Sequence, residues 1–193
     1  MKKVFVFTVS GVMMFALSAS YKFFNNEKDI ASDRVKQFVC IPCGSDCDTI
    51  LHSGPGTCSH CQMQLVEKST VIFKKIEPQQ LCSFIESKGE KNVVLLDVRT
   101  AAEFNGTADD KFGKLKNAIN IPVQNLEERI GELGKYNDKE IVVYCSHSHR
   151  SPRASYMLNQ KGFKKVTNMQ GGMSVWKDAV KEKGCNEKLY IKQ

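Results

Sequence analysis

The stretch VVYCSHSHRSPRASYML, Val142 to Leu158, decides the fold. Its start, with Ile141 before it, is apolar without alternation, the pattern of a strand covered on both faces. Its end places Ala154, Met157 and Leu158 at i, i+3 and i+4, one face of a helix. Ser151 can cap that helix, Pro152 suits its first turn and Gly162 can end it. Between strand and helix lie Cys145, Ser146, His147, Ser148, His149 and Arg150. In parallel sheets, chemistry gathers where strands end and loops lead into helices. Cys145 occupies such a point. It is either a nucleophile in an anion-binding loop or a buried thiol beside a polar turn. The amides of Ser146 to Ser151 would converge into a nest for negative charge. Arg150 adds a fixed positive charge able to grip an anionic substrate.

Working outward, the same texture repeats. VIFKKI (71–76) and NVVLLDVR (92–99) have strand length and flank EPQQLCSFIESKG (77–89), a helix with Pro78 in its first turn and Gly89 at its end. NAINIP (117–122) is a further short strand and NLEERIGELG (125–134) a helix. EIVVYC (140–145) is the buried strand, KVTNMQGG (165–172) another, and MSVWKDAVKEKG (173–184) a last helix. Strands alternating with helices predict an α/β fold with a central parallel sheet and helices on both faces.

The 193 residues give room for one ordinary domain and a smaller unit, and 41% hydrophobic with 25% charged residues is a globular balance. The net charge of +7 falls to +5 without Lys2 and Lys3, and the lysines are scattered. Without a dense basic tract interleaved with aromatics, nucleic acid is not an expected partner. A mildly basic surface suits a small anionic substrate. The opening MKKVFVFTVSGVMMFALSAS (1–20) has two lysines, an apolar run and small residues, the layout of a secretory signal peptide. The run is shorter than the ~20 residues of a membrane span, so no stable span is expected after cleavage. An uncleaved anchor is the alternative. Both place the remainder outside the cytoplasm, in the periplasm.

Four segments in order, LLDVRTAAEF, GKLKNAINIP, VVYCSHSHRS and NMQGGMSVWK, resemble the successive landmarks of rhodanese (sulfurtransferase) domains over about residues 71–180. The resemblance implies that Cys145 takes up a sulfane sulfur, holds it as a persulfide and passes it to a thiol or cyanide, with no cofactor for that step. It implies that Asp97 and Arg99 brace the active-site side of the sheet. Trp176 and Gly171-Gly172 match the closing motif, also structural. Cys145 to Arg150 spans six residues, the length associated with sulfur transfer; related phosphatases use seven, wide enough for a tetrahedral oxyanion. Ser148 departs from a position where relatives often carry glycine, which frees the backbone to curl. His147 and His149 either add charge to the pocket or are solvated loop residues. With Cys145 they alternate, so metal ligation in an extended loop is a further option.

Five of the eight cysteines, Cys40, Cys43, Cys47, Cys58 and Cys61, crowd into 38–67. Cys40-x-x-Cys43 and Cys58-x-x-Cys61 can close a tetrahedral thiolate site, and in so short a segment the metal would supply the folding energy. Cys47 can replace Cys40 as a ligand or stay a free thiol. Zinc is the default ion; Met63, His52 and His60 keep copper open. Local disulfides are the alternative in an oxidising compartment. The stretch resembles small heavy-metal-binding domains, with Gln62 where their closing motif has glycine and Ser59 where it has proline. The expected organisation is a signal peptide (1–20), a linker (21–37), a zinc-ribbon-like Cys-rich module (38–67), a rhodanese-like domain (71–185) and a polar tail (186–193). Cys82 reads as a core residue, and Cys185 has no evident partner. The leading expectation is an exported sulfurtransferase with a small anionic sulfur donor and a thiol acceptor. The alternative is a catalytically idle rhodanese fold that binds or senses metal.

Overall fold

The computed structural model describes residues 36–176, 180 and 184–193. The expected signal peptide and all but the last two residues of the linker lie outside the described residues, as does part of the last helix. Among the described residues, no helix is long and apolar enough to cross a membrane.

The chain enters through β1 (Phe38–Cys40), which pairs antiparallel with β2 (Leu65–Glu67) to form the frame of the Cys-rich module. β3 (Lys74–Ile76), α1 (Leu81–Lys88), β4 (Val93–Asp97) and α2 (Ala101–Asn105) follow. Next come β5 (Lys114–Leu115), β6 (Ile119–Asn120), α3 (Leu126–Arg129) and β7 (Glu140–Tyr144). The chain closes with α4 (Arg150–Gln160), β8 (Val166–Met169), α5 (Gly172–Val175) and β9 (Tyr190–Ile191). The central sheet is parallel throughout, in the order β3-β8-β7-β4-β6. β7 is therefore its middle strand.

The apolar run without alternation is explained by two separate cores. Val143 of β7 joins Val94, Leu96, Ala154 and Leu158 on one face. Val142 and Tyr144 join Leu81, Leu95, Met173 and Trp176 on the other. Each face is covered, so successive β7 residues are all buried, as a strand between helical layers requires.

Several elements differ from expectation. The strand at 71–76 shortens to Lys74–Ile76, and the helix at 125–134 is α-helical only for Leu126–Arg129 before tightening through Tyr136. Ser151, expected as a helix cap, lies inside α4, whose flanking residue is His149. The polar end is tied into the fold. Asn186 is buried; its carboxamide accepts from Cys82 N at 3.2 Å and donates to Gln79 O at 3.2 Å. β9 pairs antiparallel with β5. Cys82 and Cys185 form a disulfide, which gives both residues a partner that spacing alone did not suggest.

Candidate active site and thiolate cluster

Tyr144 ends β7 beside Asp97 of β4, and the next residue, Cys145, is fully buried at the carboxyl edge of the sheet. Its Sγ donates to Ser151 Oγ at 3.5 Å, so the serine faces the thiol from the first turn of α4. The loop is braced from behind by the closing Gly171-Gly172 pair. Met173 N donates to Cys145 O at 2.9 Å and Ser174 N to Ser146 O at 3.0 Å. Gly172, at φ +62, is pressed so closely against the loop that a Cβ would overlap the Cys145 carbonyl and lie 2.6 Å from Ser146 O. Ser148 does adopt the left-handed turn, at φ +64, and its Oγ donates to Met169 O at 3.4 Å. His147 packs edge-on against Phe112, while His149 Nδ1 lies 3.3 Å from Cys43 O. The two histidines thus face different neighbours.

Arg150 is held in a way its position in the sequence does not reveal. Both terminal nitrogens meet the Glu103 carboxylate at 2.7 Å, and Nη2 also donates to Ser146 Oγ at 2.7 Å. The Arg150 guanidinium beside it, with Thr100, holds Glu103 down to about 2. Arg150 therefore closes the loop as a clamp, and its charge is matched by a carboxylate. Glu103 is placed by a capping box: its backbone N donates to Thr100 Oγ1, and its carboxylate accepts from Thr100 N. The T-x-x-E spacing of Thr100 to Glu103 is the sequence signal that marks this helix start.

Asp97 and Arg99 are both fully buried and form an ion pair with Arg99 Nη2 2.6 Å from Asp97 Oδ2. Nε reaches both carboxylate oxygens at 3.0 Å, and Nη2 also donates to Gly113 O at 2.9 Å. The pair thereby pins the 113 turn to the end of β4, next to Tyr144. Burial pushes the Tyr144 phenol well up. This network lies at the end of β4, where Asp97 pairs with Tyr144, the residue before Cys145.

In the module, Cys40, Cys47, Cys58 and Cys61 bring their sulfurs within 4.8 Å of one another. Cys47 therefore stands in the four-thiol group where the paired spacing favours Cys43. Cys43 belongs to a second group with Cys40, Cys47 and Asp48. The closing pair forms a knuckle: Gln62 N donates to Cys58 O at 2.9 Å and Cys58 N to Met63 O at 2.8 Å, with Gln62 at φ +59. Burial pushes Cys47 up to about 12 and Cys40 higher still, whereas the Cys61 and His60 amides draw Cys58 down to about 7. Four sulfurs at this separation, three of them on buried cysteines and the fourth on half-buried Cys61, fit a tetrahedral thiophilic ion, whose binding would displace their protons.

The rhodanese-like domain family matches residues 82–179. The uncharacterized protein YqhL of Bacillus subtilis strain 168 is 35% identical over 95 residues, 49% of this chain and 69% of its own. A sulfurtransferase of Allochromatium vinosum is 33% identical over 86 residues, 45% of this chain and 73% of its own. A rhodanese-related protein of Thermoplasma volcanium, of known structure, is 30% identical and covers 54% of this chain and 90% of its own, at a TM-score of 0.43. The family match over residues 82–179, on a chain with the parallel sheet and a cysteine loop on its middle strand, means that the chain belongs to the rhodanese-like domain family.

Proposed function

We propose that the protein is an exported sulfurtransferase. Cys145 carries a sulfane sulfur from a small anionic donor of the thiosulfate type to a thiol or cyanide acceptor. The observation that carries this reading is the position of Cys145: fully buried at the carboxyl edge of the middle strand, in a six-residue loop whose closing Arg150 is locked by Glu103. In the first half-reaction the Cys145 thiolate attacks the outer sulfur of thiosulfate. The donor S–S bond breaks and sulfite leaves with the electron pair, so Cys145 becomes a persulfide. In the second, an acceptor thiolate or cyanide attacks the terminal sulfur and the Cys145 thiolate is regenerated. Loop amides turned toward Cys145 would favour this path by stabilising negative charge without reorganising. A location outside the cytoplasm is supported by the lysine-led apolar opening of the sequence and by the Cys82–Cys185 disulfide, a bond that persists in oxidising compartments. Zinc at Cys40, Cys47, Cys58 and Cys61 would protect those thiols there while holding the module folded. No nucleic-acid partner belongs to this reading.

The test is thiocyanate formation from thiosulfate and cyanide, followed beside formation of a persulfide on Cys145 by mass spectrometry. The parent protein should turn over and gain one sulfur at Cys145. Cys145→Ser should do neither while keeping its thermal transition. Transfer that survives Cys145→Ser would remove the assignment.

A further inference from the structure

The segment from Cys40 to Cys47 leaves the thiolate cluster and returns to it, and its turn lies against the sulfur loop. Cys43 O is 3.3 Å from His149 Nδ1. Gly44, at φ +78, is seated so that a Cβ would overlap the Ser148 carbonyl oxygen, with the carbonyl carbon 2.7 Å away. The turn is stiff: the Asp48 carboxylate accepts from Cys43 N at 3.0 Å and from Gly44 N at 2.7 Å. A second tie follows the module, where Thr70 Oγ1 meets Tyr156 OH at 3.4 Å and Thr70 O accepts from Gln160 Nε2 at 3.3 Å. The Cys145 loop is therefore gripped from two sides. Gly172 and its neighbours hold residues 145 and 146, and Cys43 with Gly44 holds residues 148 and 149.

The second grip is only as firm as the module that makes it. Its central cluster of buried residues is Cys40, Cys47, Cys58 and Leu65, with little apolar surface from which to draw stability. Cys40 and Cys47, both members of the four-thiol group, are also the two ends of the turn that carries Gly44. One ion bound to that group fixes both ends at once. Loss of the ion frees them, and with them the contact on Ser148 and His149.

We propose that metal occupancy of the Cys40, Cys47, Cys58 and Cys61 site sets the conformation of the Cys145 loop, with Cys43 and Gly44 as positioning residues of the sulfur site. The consequence for turnover rests on the sulfur-transfer reading; the coupling itself does not. Coupling between two sites is reciprocal, so an anion held in the loop also changes the affinity for the metal.

The experiment uses the protein loaded with zinc and the same protein after chelation. The alkylation rate of Cys145 by iodoacetamide is followed on its own peptide by mass spectrometry. Zinc removal should raise that rate by at least about fivefold, the lower end of ordinary coupling. Gly44→Ala should alkylate at nearly the zinc-free rate with zinc present, while still binding zinc in competition with a chromophoric chelator. If Gly44→Ala fails to bind zinc, His149→Ala decides: it removes the Cys43 O hydrogen bond from the loop side, leaving the Gly44 packing in place, and should lower the zinc dependence below that of the parent. Equal rates with and without zinc in the parent, a parent that holds no zinc, or a zinc-binding variant that keeps the full dependence would each overturn the proposal. A coupled protein that forms no thiocyanate would defeat the sulfur-transfer reading alone. An active protein indifferent to zinc would defeat the coupling alone.

Discussion

Replacing Glu103 with Gln keeps the shape of the side chain and removes the charge that locks Arg150. Holding a carboxyl near 2 instead of its ordinary 4.5 corresponds to about 3 kcal/mol. The pair sits at the rim, with side chains 26% and 15% accessible, so screening reduces its net worth to about 1–2 kcal/mol at pH 7. The sign follows from the direction of the shift. A carboxyl depressed in the folded state stabilises fully above its unfolded value near 4.5, and the benefit is lost as pH falls toward 2. At pH 3 less than half should remain. Urea unfolding of parent and Glu103→Gln at pH 7 and pH 3 measures this directly. The expected gap is about 1–2 kcal/mol at pH 7 and under half of that at pH 3. A gap that stays constant with pH, or widens on acidification, would show that the loop is not held by this ion pair.

Three substitutions in the loop and its brace separate the tolerated change from the damaging ones. Ser148→Gly relieves a left-handed residue but adds freedom to the unfolded chain, so stability should stay within about 0.5 kcal/mol. Ser148→Val, β-branched at the same φ, should lose more than about 1 kcal/mol, both variants being compared with the parent by thermal melting. Gly172→Ala drives a methyl into the Cys145 carbonyl at a positive φ, so it should cost at least about 2 kcal/mol. That is a fall of about 4–8 °C for a protein of this size. It should also remove Cys145 persulfide formation; a Gly172→Ala protein with parental stability and persulfide yield would contradict the close packing described.

The sheet was legible because β7 has to be apolar on both faces, and no other element type suits so short a run beside a Gly/Pro-marked helix. The cysteine loop was legible for the same reason: it is local, six residues between two well-marked elements. What escaped is long-range. Glu103 carries a capping signal, but its bond to Arg150 spans 47 positions and only the fold closes that gap. The choice of Cys47 over Cys43 depends on a turn shaped by Gly44 and Asp48, for which the Cys-x-x-Cys spacing gives no rule. Gln62 and Ser148 stand where a resemblance leads one to expect glycine. Both nevertheless take the left-handed conformation, because the surrounding hydrogen bonds fix the backbone at a cost of about 1–2 kcal/mol each. The packing of residues 186–193 was invisible because their polarity hides a strand pairing and a buried Asn186.

The Cys82–Cys185 disulfide spans 103 positions and makes a covalent ring of almost everything that handles sulfur, Cys145, Arg150 and the Gly172 brace included. The thiolate module lies wholly outside that ring, joined to it by a single strand of backbone. A protease nick between 82 and 185 leaves its fragments fastened together until a reductant is added. A nick near 68–72, between the module and β3, cuts the module's covalent tether at once. Fragment patterns on gels run with and without reductant would therefore show which part of the protein had been cut.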